Sequence, residues 1–519
     1  MHTACGIVGV VSTHQTLDIQ DLLDAMYAIQ HRGCHSWGAA SLEGGQLLAQ
    51  VQPGLLPDRR TLLKPRAIRH ALGHVGHSGV MATNTGAAVP SPTVLGCQPV
   101  LVNSARGKFA LAFNGRLGHL RMCDPSDTET HDVYRIAAGI AQHPSSNWVE
   151  ALHDAAASCV AAFAITVLTD EGLFYARDIR GYRPIMMADI SAWSGSKTGA
   201  GAGTGAVTPL WKVVVVASEA TAYETLFKNL VKRHPGLILR LKPRAITAGS
   251  VGQVRLDGSW TEWEIKCKYR DAPGGLNRTP LQRCALEAVH FMRGGGQFDE
   301  LDIDYFREEC GRALAKQDRD SERGEGRNGR KGGGERGECG FDIATTLVVG
   351  CPRGGIAAGR GYAAAACLPY AQVLRATAGV LRTRPGAASA DSGRPKQVVR
   401  RRKERPTLVV DGTVTGKHVV LVDDLMVRAD TMKRAVALLR EAGAARIHVR
   451  IGAPMVQNTC VWGTKLPDVE DLFAANTPPS PGRLDADSLE YLSTPCFERL
   501  IGAGFCQGCF FRQGQTVQV

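Results

Sequence analysis

The chain has 519 residues, more than one hydrophobic core can serve, so two or three domains are expected. Its hydrophobic content of 44% is ordinary for globular proteins, and it lacks both an apolar run of membrane-spanning length and a signal-peptide core. The net charge of +12 favours anionic ligands, but the interleaved aromatic and basic residues of nucleic-acid-binding proteins are missing. A cytoplasmic protein that binds neither membranes nor nucleic acid is therefore predicted.

The first predicted element is a short buried strand that begins at Cys5 and continues through Gly6–Val10. If Met1–Ala4 are removed, Cys5 carries both a thiol and a free α-amine. The amine titrates near neutral pH and can accept the thiol proton, so the residue is a candidate nucleophile with its own base. On these residues alone, a buried structural cysteine remains the alternative.

A helix is predicted from Asp18 to Gln30, and the segments after it are rich in strands. Asn114-Gly115 ends an apolar run, where a hairpin turn is predicted. The functional alternative is an oxyanion hole, because an amide side chain and a glycine N–H supply two donors. Ser126–Glu129 has the composition of a helix N-cap, and Ser194–Gly205 that of a flexible surface insert.

Eight motifs in this half occur in the order found in class II glutamine amidotransferases. They are CGIVGV from Cys5, HRG from His31, GHV from Gly73, QP from Gln98, NG from Asn114, SDTE from Ser126, RDIRGYRP from Arg177 and ASE from Ala217. The set most closely resembles the amidotransferase half of the amidophosphoribosyltransferases, over residues 5–250. The resemblance implies an N-terminal-nucleophile αββα sandwich.

The resemblance also implies residue roles in this half. Cys5 would be the nucleophile, its freed α-amine the base, and Asn114 with Gly115 the oxyanion hole. Arg32 and Asp127 would lie near the substrate glutamine.

One position departs from the family pattern, which reads GHVR and uses its arginine to pair with the glutamine α-carboxylate. This chain has Gly76 there, followed by His77 and Ser78. Loss of a bidentate guanidinium is expected to weaken glutamine binding by about 2–4 kcal/mol.

Two strand–turn–helix units follow in the second half. The first has a strand over Ile343–Gly350, a turn at Cys351–Gly355 and a helix through Ala366, the shape of a phosphate-binding unit. The second has a strand over Lys417–Asp424 and a helix over Met432–Ala442. Its terminal acids would lie at the carboxyl edge of a parallel sheet, where ligands bind. A capped turn with a solvated acidic pair is the alternative.

The second unit resembles the phosphoribosylpyrophosphate signature of type I phosphoribosyltransferases. The resemblance implies that Asp423 and Asp424 hold the ribose or position Mg²⁺, and that Arg428 to Thr431 bind the 5′-phosphate. Three positions of this signature differ from the family pattern of hydroxyl residue, glycine and threonine: Leu425, Ala429 and Asp430. Arg353-Gly354 also stands where the family usually has Asp-Ser.

Three further segments are interpreted from composition. Lys316–Glu338 is predicted to be a disordered insert, and Ala272–Thr279 a linker. Arg394–Arg405 has seven basic residues and one acid, and the family has a loop there that closes over phosphoribosylpyrophosphate. A solvated charge run is the alternative. The predicted domains are 5–250 (amidotransferase), 284–470 (type I phosphoribosyltransferase, α/β, with the insert 316–338) and 471–519 (C-terminal segment).

The chain has 15 cysteines without the spacing of a disulfide scaffold, and Cys506 and Cys509 form a C-x-x-C pair. Alone, the pair is compatible with a zinc half-site, a redox pair or coincidence. Iron–sulfur members of the resembling family carry four cysteines in places matched by Cys284, Cys460, Cys506 and Cys509. The resemblance therefore implies a structural [4Fe–4S] cluster, with tetrahedral zinc as the alternative.

The prediction is a homo-oligomeric amidophosphoribosyltransferase that uses glutamine, phosphoribosylpyrophosphate and Mg²⁺ in purine biosynthesis. Two alternatives remain at this point. One is a non-catalytic or regulatory paralogue, and the other is a glutaminase that delivers ammonia to a different acceptor.

Overall fold

The computed structural model describes residues 5–14, 17–56, 66–76, 97–120, 132–194, 208–266, 281–324, 341–376, 408–410, 412–460, 462–464, 466–475 and 478–511. The chain divides into two compact units. Unit 1 contains Met1–Phe306, Gln457–Glu470 and Ile501–Val519, and unit 2 contains Arg307–Val456 and Asp471–Leu500.

The secondary structure of the described residues is as follows. The strands are β1 (Gly6–Ser12), β2 (Leu17–Asp18), β3 (Ser36–Glu43), β4 (Gln46–Pro53), β5 (Ala67–Ile68), β6 (His70–Gly76), β7 (Val100–Ser104), β8 (Gly107–Leu120), β9 (Cys159–Thr169), β10 (Gly172–Arg177), β11 (Met186–Ser194), β12 (Trp211–Ala217), β13 (Leu237–Ala245), β14 (Ser250–Arg255), β15 (Trp260–Glu264), β16 (Arg283–Cys284), β17 (Gln297–Phe298), β18 (Leu301–Asp302), β19 (Thr346–Gly350), β20 (Leu374–Ala376), β21 (Leu408–Val410), β22 (His418–Asp423), β23 (Arg446–Ile451), β24 (Ser488–Tyr491) and β25 (Phe505–Cys506). The α-helices are α1 (Ile19–Ala28), α2 (Asp132–Gln142), α3 (Trp148–Ala157), α4 (Ala220–Arg233), α5 (Ile303–Gly324), α6 (Gly354–Ala366), α7 (Asp430–Glu441) and α8 (Thr494–Ile501). None of the helices in these ranges is long and apolar enough to cross a bilayer.

Unit 1 is built on two antiparallel sheets that face each other. One has the order β13-β11-β12-β1-β6-β3-β4 and the other the order β15-β14-β10-β9-β8-β7. Ile7, Leu72, Ala112 and Leu173 belong to the buried cluster between them. Helices α1 and α4 pack on the first sheet, and α2 and α3 on the second. This is the four-layer αββα arrangement that the sequence predicts.

The central strand β1 brings the chain start into the middle of the first sheet. All seven of its residues are buried, and it pairs with β6 on one side and β12 on the other. The Ile7 N–H also donates to Ser218 Oγ at 3.0 Å, and this hydrogen bond anchors the start of the strand. The helix predicted after it is α1, which begins at an Asp18–Asp21 capping box.

Unit 2 is built on a parallel sheet of order β19-β22-β23-β24. The central strand β22 is apolar on both faces, as expected for a parallel strand that is covered on both sides. Helix α6 packs on β19 and β22, and Met432 of α7 joins the core that contains Val349 and Leu421. The predicted α/β architecture of this half is therefore present.

The predicted disordered insert is partly helical, because α5 continues through Gly324. Two side chains in this stretch are anchored within unit 2. Asp318 accepts from Arg450 Nε and from the Tyr362 hydroxyl, and Gln317 Nε2 donates to the Tyr491 carbonyl at 2.8 Å. From composition alone, no interaction was expected to compensate the entropy lost when this stretch becomes ordered. These anchors provide that compensation. The rest of the predicted insert, 325–338, lies outside the described residues.

The predicted C-terminal segment is divided between the units. Strand β24 extends the sheet of unit 2 by pairing with β23, whereas β25 pairs with β16 in unit 1. The described residues exclude the linker 272–279, the basic segment 394–405, the cap 126–129 and all but the first residue of the insert 194–205.

Candidate active sites

The candidate nucleophile Cys5 lies directly before β1 and is half-buried. Gly6 pairs with Val75, so the same register places Cys5 opposite Gly76. On its other side Gly76 pairs with Ser36 of β3. A Cβ on Gly76 would lie 2.5 Å from Ser36 Oγ and 2.8 Å from His74 Cε1. The position that carries an arginine in the family pattern is therefore crowded by two neighbouring side chains.

His74 does not replace the missing arginine as a cation. Its side chain is fully buried, and burial lowers the pKa of the ring to about 3, an effect that its interaction with the Phe113 main chain only partly opposes. The ring is therefore neutral at physiological pH. His77, Ser78 and the predicted glutamine-binding Asp127 lie outside the described residues.

The candidate oxyanion hole lies on β8, in the second sheet of unit 1. The predicted turn at Asn114-Gly115 is wrong, because β8 continues through both residues to Leu120. Gly115 is required there by close packing, since a Cβ would lie 2.0 Å from the Ala162 carbonyl oxygen of the neighbouring strand. Gln98 fixes the strand one residue earlier, where its Oε1 accepts from the Phe113 N–H at 2.6 Å.

The side chain of Asn114 is almost completely buried, and its Nδ2 has no hydrogen-bond partner among the described residues. Asn114 lies two residues after Ala112, which shares the cluster between the sheets with Ile7, and Cys5 lies two residues before Ile7. Alternate residues of a strand point to the same face, so both Asn114 and Cys5 face this space. An oxyanion hole requires a buried amide donor that has no other hydrogen-bond acceptor.

Arg32 lies behind the nucleophile and is completely buried. Its Nε donates to the Cys5 carbonyl at 3.0 Å, its Nη1 to Glu219 at 2.6 Å, and its Nη2 to both oxygens of Glu287 at 2.8 and 2.9 Å. Burial alone would lower the pKa of Arg32, but the two carboxylates raise it above its ordinary value. The contacts of Arg32 position the main chain of Cys5, the candidate nucleophile.

Glu219 and Glu287 are functional candidates that the sequence analysis did not single out. Burial would raise the pKa of Glu219, but His31 and Arg32 lower it to about 2, so it is an anion. Glu219 stands in the ASE motif and Glu287 three residues after Cys284. The sequence does contain one signal for Glu287, which is an acid within the apolar segment Ala285–Met292. A carboxylate buried in such a segment needs a cationic partner.

The four predicted cluster cysteines are brought together in unit 1. Cys284 of β16 is in register with Cys506 of β25 in a parallel pair, and the Cys509 carbonyl accepts from the N–H groups of Gln457 and Asn458, just before Cys460. Each of the four thiols is close enough to the others to influence a pKa within the group. The four sequence-distant cysteines therefore form one constellation.

Burial sets the protonation state of these thiols. It raises the pKa of Cys284 to about 12 and that of Cys509 well above its ordinary value. Without a cation Cys284 and Cys509 are neutral thiols, and a cationic ligand would be needed to stabilise their thiolates. In the described part of the chain, no three His, Cys, Asp or Glu side chains are grouped closely enough to hold one metal ion.

The acidic pair of unit 2 ends β22. Asp424 is buried and Asp423 half-buried, and the Asp424 N–H donates to Asp423 Oδ1 at 3.0 Å. Burial raises the pKa of Asp423 well above its ordinary value, and the adjacent Asp424 raises it further. The pair lies at the carboxyl edge of the parallel sheet, as predicted. A solvated acidic turn, the alternative interpretation, does not describe these side chains.

The turn before α6 packs directly against the acidic pair. A Cβ on Gly354 would lie 1.6 Å from Asp424 Oδ2, and one on Gly355 would lie 2.6 Å from the Val422 carbonyl. The preceding Arg353 is exposed and has a φ of 85°, a left-handed conformation that side chains rarely adopt. In this chain Asp424 therefore occupies the space that a side chain at position 354 would need.

Substituting Gly354 with serine is expected to displace the Asp424 carboxylate and to destabilise the protein by about 1–3 kcal/mol, the usual cost of overpacking. Denaturant unfolding measures the change. Gly482→Ser is the matched control, because a Cβ on Gly482 meets nothing within 4 Å. Equal stability of the two variants would contradict the contact between Gly354 and Asp424.

The predicted 5′-phosphate loop has a left-handed residue directly before α7. Ala429, in the place of the family glycine, has a φ of 66° and caps α7. Arg428 is exposed and pairs with Asp471 at 2.8 Å, and Thr431 is exposed in the first turn of α7. Asp430 begins that helix, so it adds a negative charge at the predicted phosphate site.

Comparisons with known proteins find similarity over almost the whole chain. A family model described as "Phosphoribosyl transferase domain" matches residues 336–453. Relatives named amidophosphoribosyltransferase include one from Methanocaldococcus jannaschii, 25% identical over 97% of this chain and 96% of its own length. Another, from Synechocystis, is 26% identical over 98% of this chain and 90% of its own length.

Two solved structures share the fold over almost the whole chain. One, described as the allosteric regulatory enzyme of purine biosynthesis, has a TM-score of 0.66 and 23% identity, covering 98% of this chain and 95% of its own. The other, described as glutamine phosphoribosylpyrophosphate amidotransferase from B. subtilis with ADP and GMP, has a TM-score of 0.65 and 23% identity, covering 98% and 96%. The predicted fold is confirmed, and the names of the curated relatives agree with the family predicted from the motifs.

Proposed function

Along its whole length this chain is a divergent homologue of the amidophosphoribosyltransferases, and we propose that it transfers glutamine-derived ammonia to phosphoribosylpyrophosphate. The products would be 5-phosphoribosylamine and pyrophosphate, in the first step of de novo purine biosynthesis. The observation that carries the proposal is the buried Nδ2 of Asn114, which has no hydrogen-bond partner among the described residues and faces the same space between the sheets as Cys5. We assign the glutaminase half to residues 5–250 and the transferase half to 284–470.

The glutaminase half would act by nucleophilic catalysis once Met1–Ala4 are removed. The α-amine of Cys5 takes the thiol proton, and the thiolate attacks the carboxamide carbon of glutamine. Asn114 Nδ2 and the Gly115 N–H stabilise the oxyanion that forms. The amine returns its proton to the leaving nitrogen, and the C–N bond of the carboxamide breaks. Ammonia departs, and a thioester between Cys5 and the glutamyl group remains. Water then hydrolyses the thioester to glutamate.

The transferase half would place phosphoribosylpyrophosphate at the carboxyl edge of the sheet of unit 2. Asp423 and Asp424 hold the ribose hydroxyls, while Arg428 and Thr431 bind the 5′-phosphate at the start of α7. Ammonia attacks C1 of the ribose, and the bond to pyrophosphate breaks. The buried acids fit Mg²⁺, which takes one or two carboxylates together with substrate phosphates and, when bound, neutralises charge on the leaving group.

The cysteine constellation supports a [4Fe–4S] cluster held by Cys284, Cys460, Cys506 and Cys509. The four thiols lie within electrostatic reach of one another, and four cysteine thiolates are the ligands of such clusters, with tetrahedral zinc as the alternative. Its role would be structural, since it joins β16, β25 and the segment around Cys460. We expect about four iron atoms and no zinc per chain in anaerobically purified protein, measured by metal analysis. Stoichiometric zinc without iron would contradict the cluster.

The proposed protein is a cytoplasmic homo-oligomer with glutamine and phosphoribosylpyrophosphate as its small-molecule partners. A second candidate function follows from Gly76, which leaves no side chain for the glutamine α-carboxylate. Weak glutamine use would favour a paralogue that retains the fold for regulation. A glutaminase with another ammonia acceptor is the third candidate, favoured by the acid at Asp430.

One experiment on anaerobically purified protein distinguishes these functions. Glutamate release is measured with and without phosphoribosylpyrophosphate, and phosphoribosylamine formation is measured with glutamine or with ammonium as the nitrogen source. The proposal expects product from both sources and a high KM for glutamine. Absence of turnover with either source would overturn it in favour of the paralogue. Glutamate release without phosphoribosylamine would instead support a different acceptor.

A further inference from the structure

A buried chain of ion pairs and hydrogen bonds runs from the nucleophile to the cysteine constellation within unit 1. We propose that Glu287 and Arg183 are positioning residues in this chain, which makes the main-chain position of Cys5 depend on how the cysteine constellation closes. The inference rests on the proposed function in one respect, the role of Cys5 as nucleophile.

The first link is Arg32, the residue that holds the Cys5 carbonyl. The same guanidinium binds Glu287 through two hydrogen bonds, and the side chains of both residues are 0% exposed. A guanidinium nitrogen that contacts both oxygens of a carboxylate, with both side chains fully buried, has a restricted geometry because neither partner has water as an alternative. A displacement of Glu287 would therefore move Arg32, and with it the carbonyl of Cys5.

The second link is the sharing of Glu287 between two arginines. Arg183 Nη1 lies 3.5 Å from Glu287 Oε1, and its side chain is 2% exposed. The buried charges balance, with Arg32 and Arg183 facing Glu219 and Glu287. Removing one member would leave an uncompensated charge in the interior, so the four side chains act as a unit.

The third link reaches the cysteine loops. Arg183 Nη2 donates to the Trp462 carbonyl at 2.9 Å, and its Nη1 donates to Thr464 Oγ1 at 3.1 Å. Thr464 Oγ1 in turn lies 3.9 Å from Cys284 Sγ. The Trp462 ring stacks on Tyr182 with centroids 4.9 Å apart, which keeps this segment against the loop that carries Arg183. Trp462 follows Cys460 by two residues. The series of contacts from Arg32 through Glu287 and Arg183 to Thr464 and Trp462, termed the relay, therefore ends among the cysteines.

The geometry gives Glu287 a role that simple packing would not require. It begins the π-helical turn Glu287–Phe291, three residues after Cys284 at the end of β16. Closure of the constellation fixes β16 and the segment around Cys460, and Arg183 and Glu287 pass that position to Arg32. An open constellation would leave Cys5 less well held even where the two sheets stay folded.

The relay is tested with Glu287→Gln, which keeps the volume of the side chain and removes its charge. We expect kcat for glutamine hydrolysis to fall at least tenfold while the KM for glutamine stays within about twofold. Ammonium-dependent phosphoribosylamine formation should stay within twofold of the unmodified protein. Amide hydrogen exchange of the Cys5–Val11 peptide should accelerate at least tenfold, whereas exchange of the Cys159–Leu168 peptide should not change.

Thr464→Val perturbs the far end of the relay without touching the nucleophile or a cysteine, and it should accelerate exchange of the same Cys5–Val11 peptide. Glu262→Gln is the matched control, because Glu262 of β15 pairs with Arg244 of β13 at 2.6 Å and takes no part in the relay. If Glu287→Gln does not fold, Arg183→Lys and Thr464→Val decide the question.

Wild-type exchange and kcat in the relay variants would overturn the inference. A parallel loss of glutamine-dependent and ammonium-dependent activity would also overturn it, since that result indicates a general structural role. An unmodified protein that hydrolyses no glutamine would contradict the proposed function alone. In that case the exchange measurements would still test the relay.

Discussion

Replacing Cys5 with alanine is expected to abolish glutamine hydrolysis, with a loss on the order of 10⁴-fold or more, because no thioester can form without the thiol. Phosphoribosylamine formation from ammonium should continue at close to the unmodified rate, since that reaction needs only the acidic pair and the phosphate loop of unit 2. Glutamate release and phosphoribosylamine formation, assayed on the same preparation, measure the two activities.

The matched control for this substitution is Cys367→Ala, which removes an exposed thiol in unit 2. It should leave both activities unchanged. Intact-mass measurement on the unmodified protein should show a chain that begins at Cys5, since the α-amine is the proposed base. Glutamine hydrolysis above about 1% in Cys5→Ala, or an active protein that retains Met1, would refute the role of Cys5 as an N-terminal nucleophile.

The parts of the fold that follow from local sequence were predictable. The strand after Cys5 and the helix after Asp18 are encoded by apolar periodicity and by a capping box, and both are present as β1 and α1. The acidic pair at the end of β22 was placed at a sheet edge for the same reason, because a continuous apolar run predicts a covered parallel strand.

What could not be predicted depends on contacts between distant residues. The Asn114-Gly115 pair has the local chemistry of a turn, but strand β9 pairs with it and extends the ladder. The polar stretch after Lys316 is helical through Gly324 because Asp318 is held by Arg450, 132 residues away. Each of these outcomes is a tertiary interaction that overrides local preference.

The hydrogen-bond partners of Arg32 show the same limit at the candidate site. Its donors are directed to Cys5, Glu219 and Glu287. Glu287 comes 255 residues later in the chain, so no local pattern could indicate the pair. Such pairs are identified only from the three-dimensional structure, which shows which buried cation lies next to which buried anion.

Replacing Asp423 with asparagine is expected to have two opposite effects. Phosphoribosylamine formation should fall about 100-fold or more, because a carboxylate that holds the ribose or the metal is lost. Stability without Mg²⁺ should rise, because the substitution removes a buried charge that Asp424 opposes. Each unit by which the folded-state pKa exceeds its ordinary value, up to the pH of the measurement, costs the wild-type protein about 1.4 kcal/mol at that pH.

The direction of the pH dependence follows from this raised pKa. The folded protein holds the Asp423 proton more tightly than the unfolded chain does, so burying the carboxyl has no charge penalty below about pH 4. As the pH rises from there through the folded-state pKa, the wild-type protein loses stability that the asparagine variant keeps. The difference in unfolding free energy between the two should therefore grow from pH 5 to pH 8 in denaturant titrations without Mg²⁺.

The control for this prediction is Asp485→Asn, an exposed position in unit 2 with a φ of 59° that asparagine tolerates. Its stability should follow the wild-type curve at every pH, and its activity should be unchanged. A stability difference for Asp423→Asn that stays constant with pH would show that Asp423 is not strained by burial and by Asp424. Full activity of Asp423→Asn would show that phosphoribosyl transfer does not require the Asp423 carboxylate. That result would remove Asp423 from the proposed mechanism.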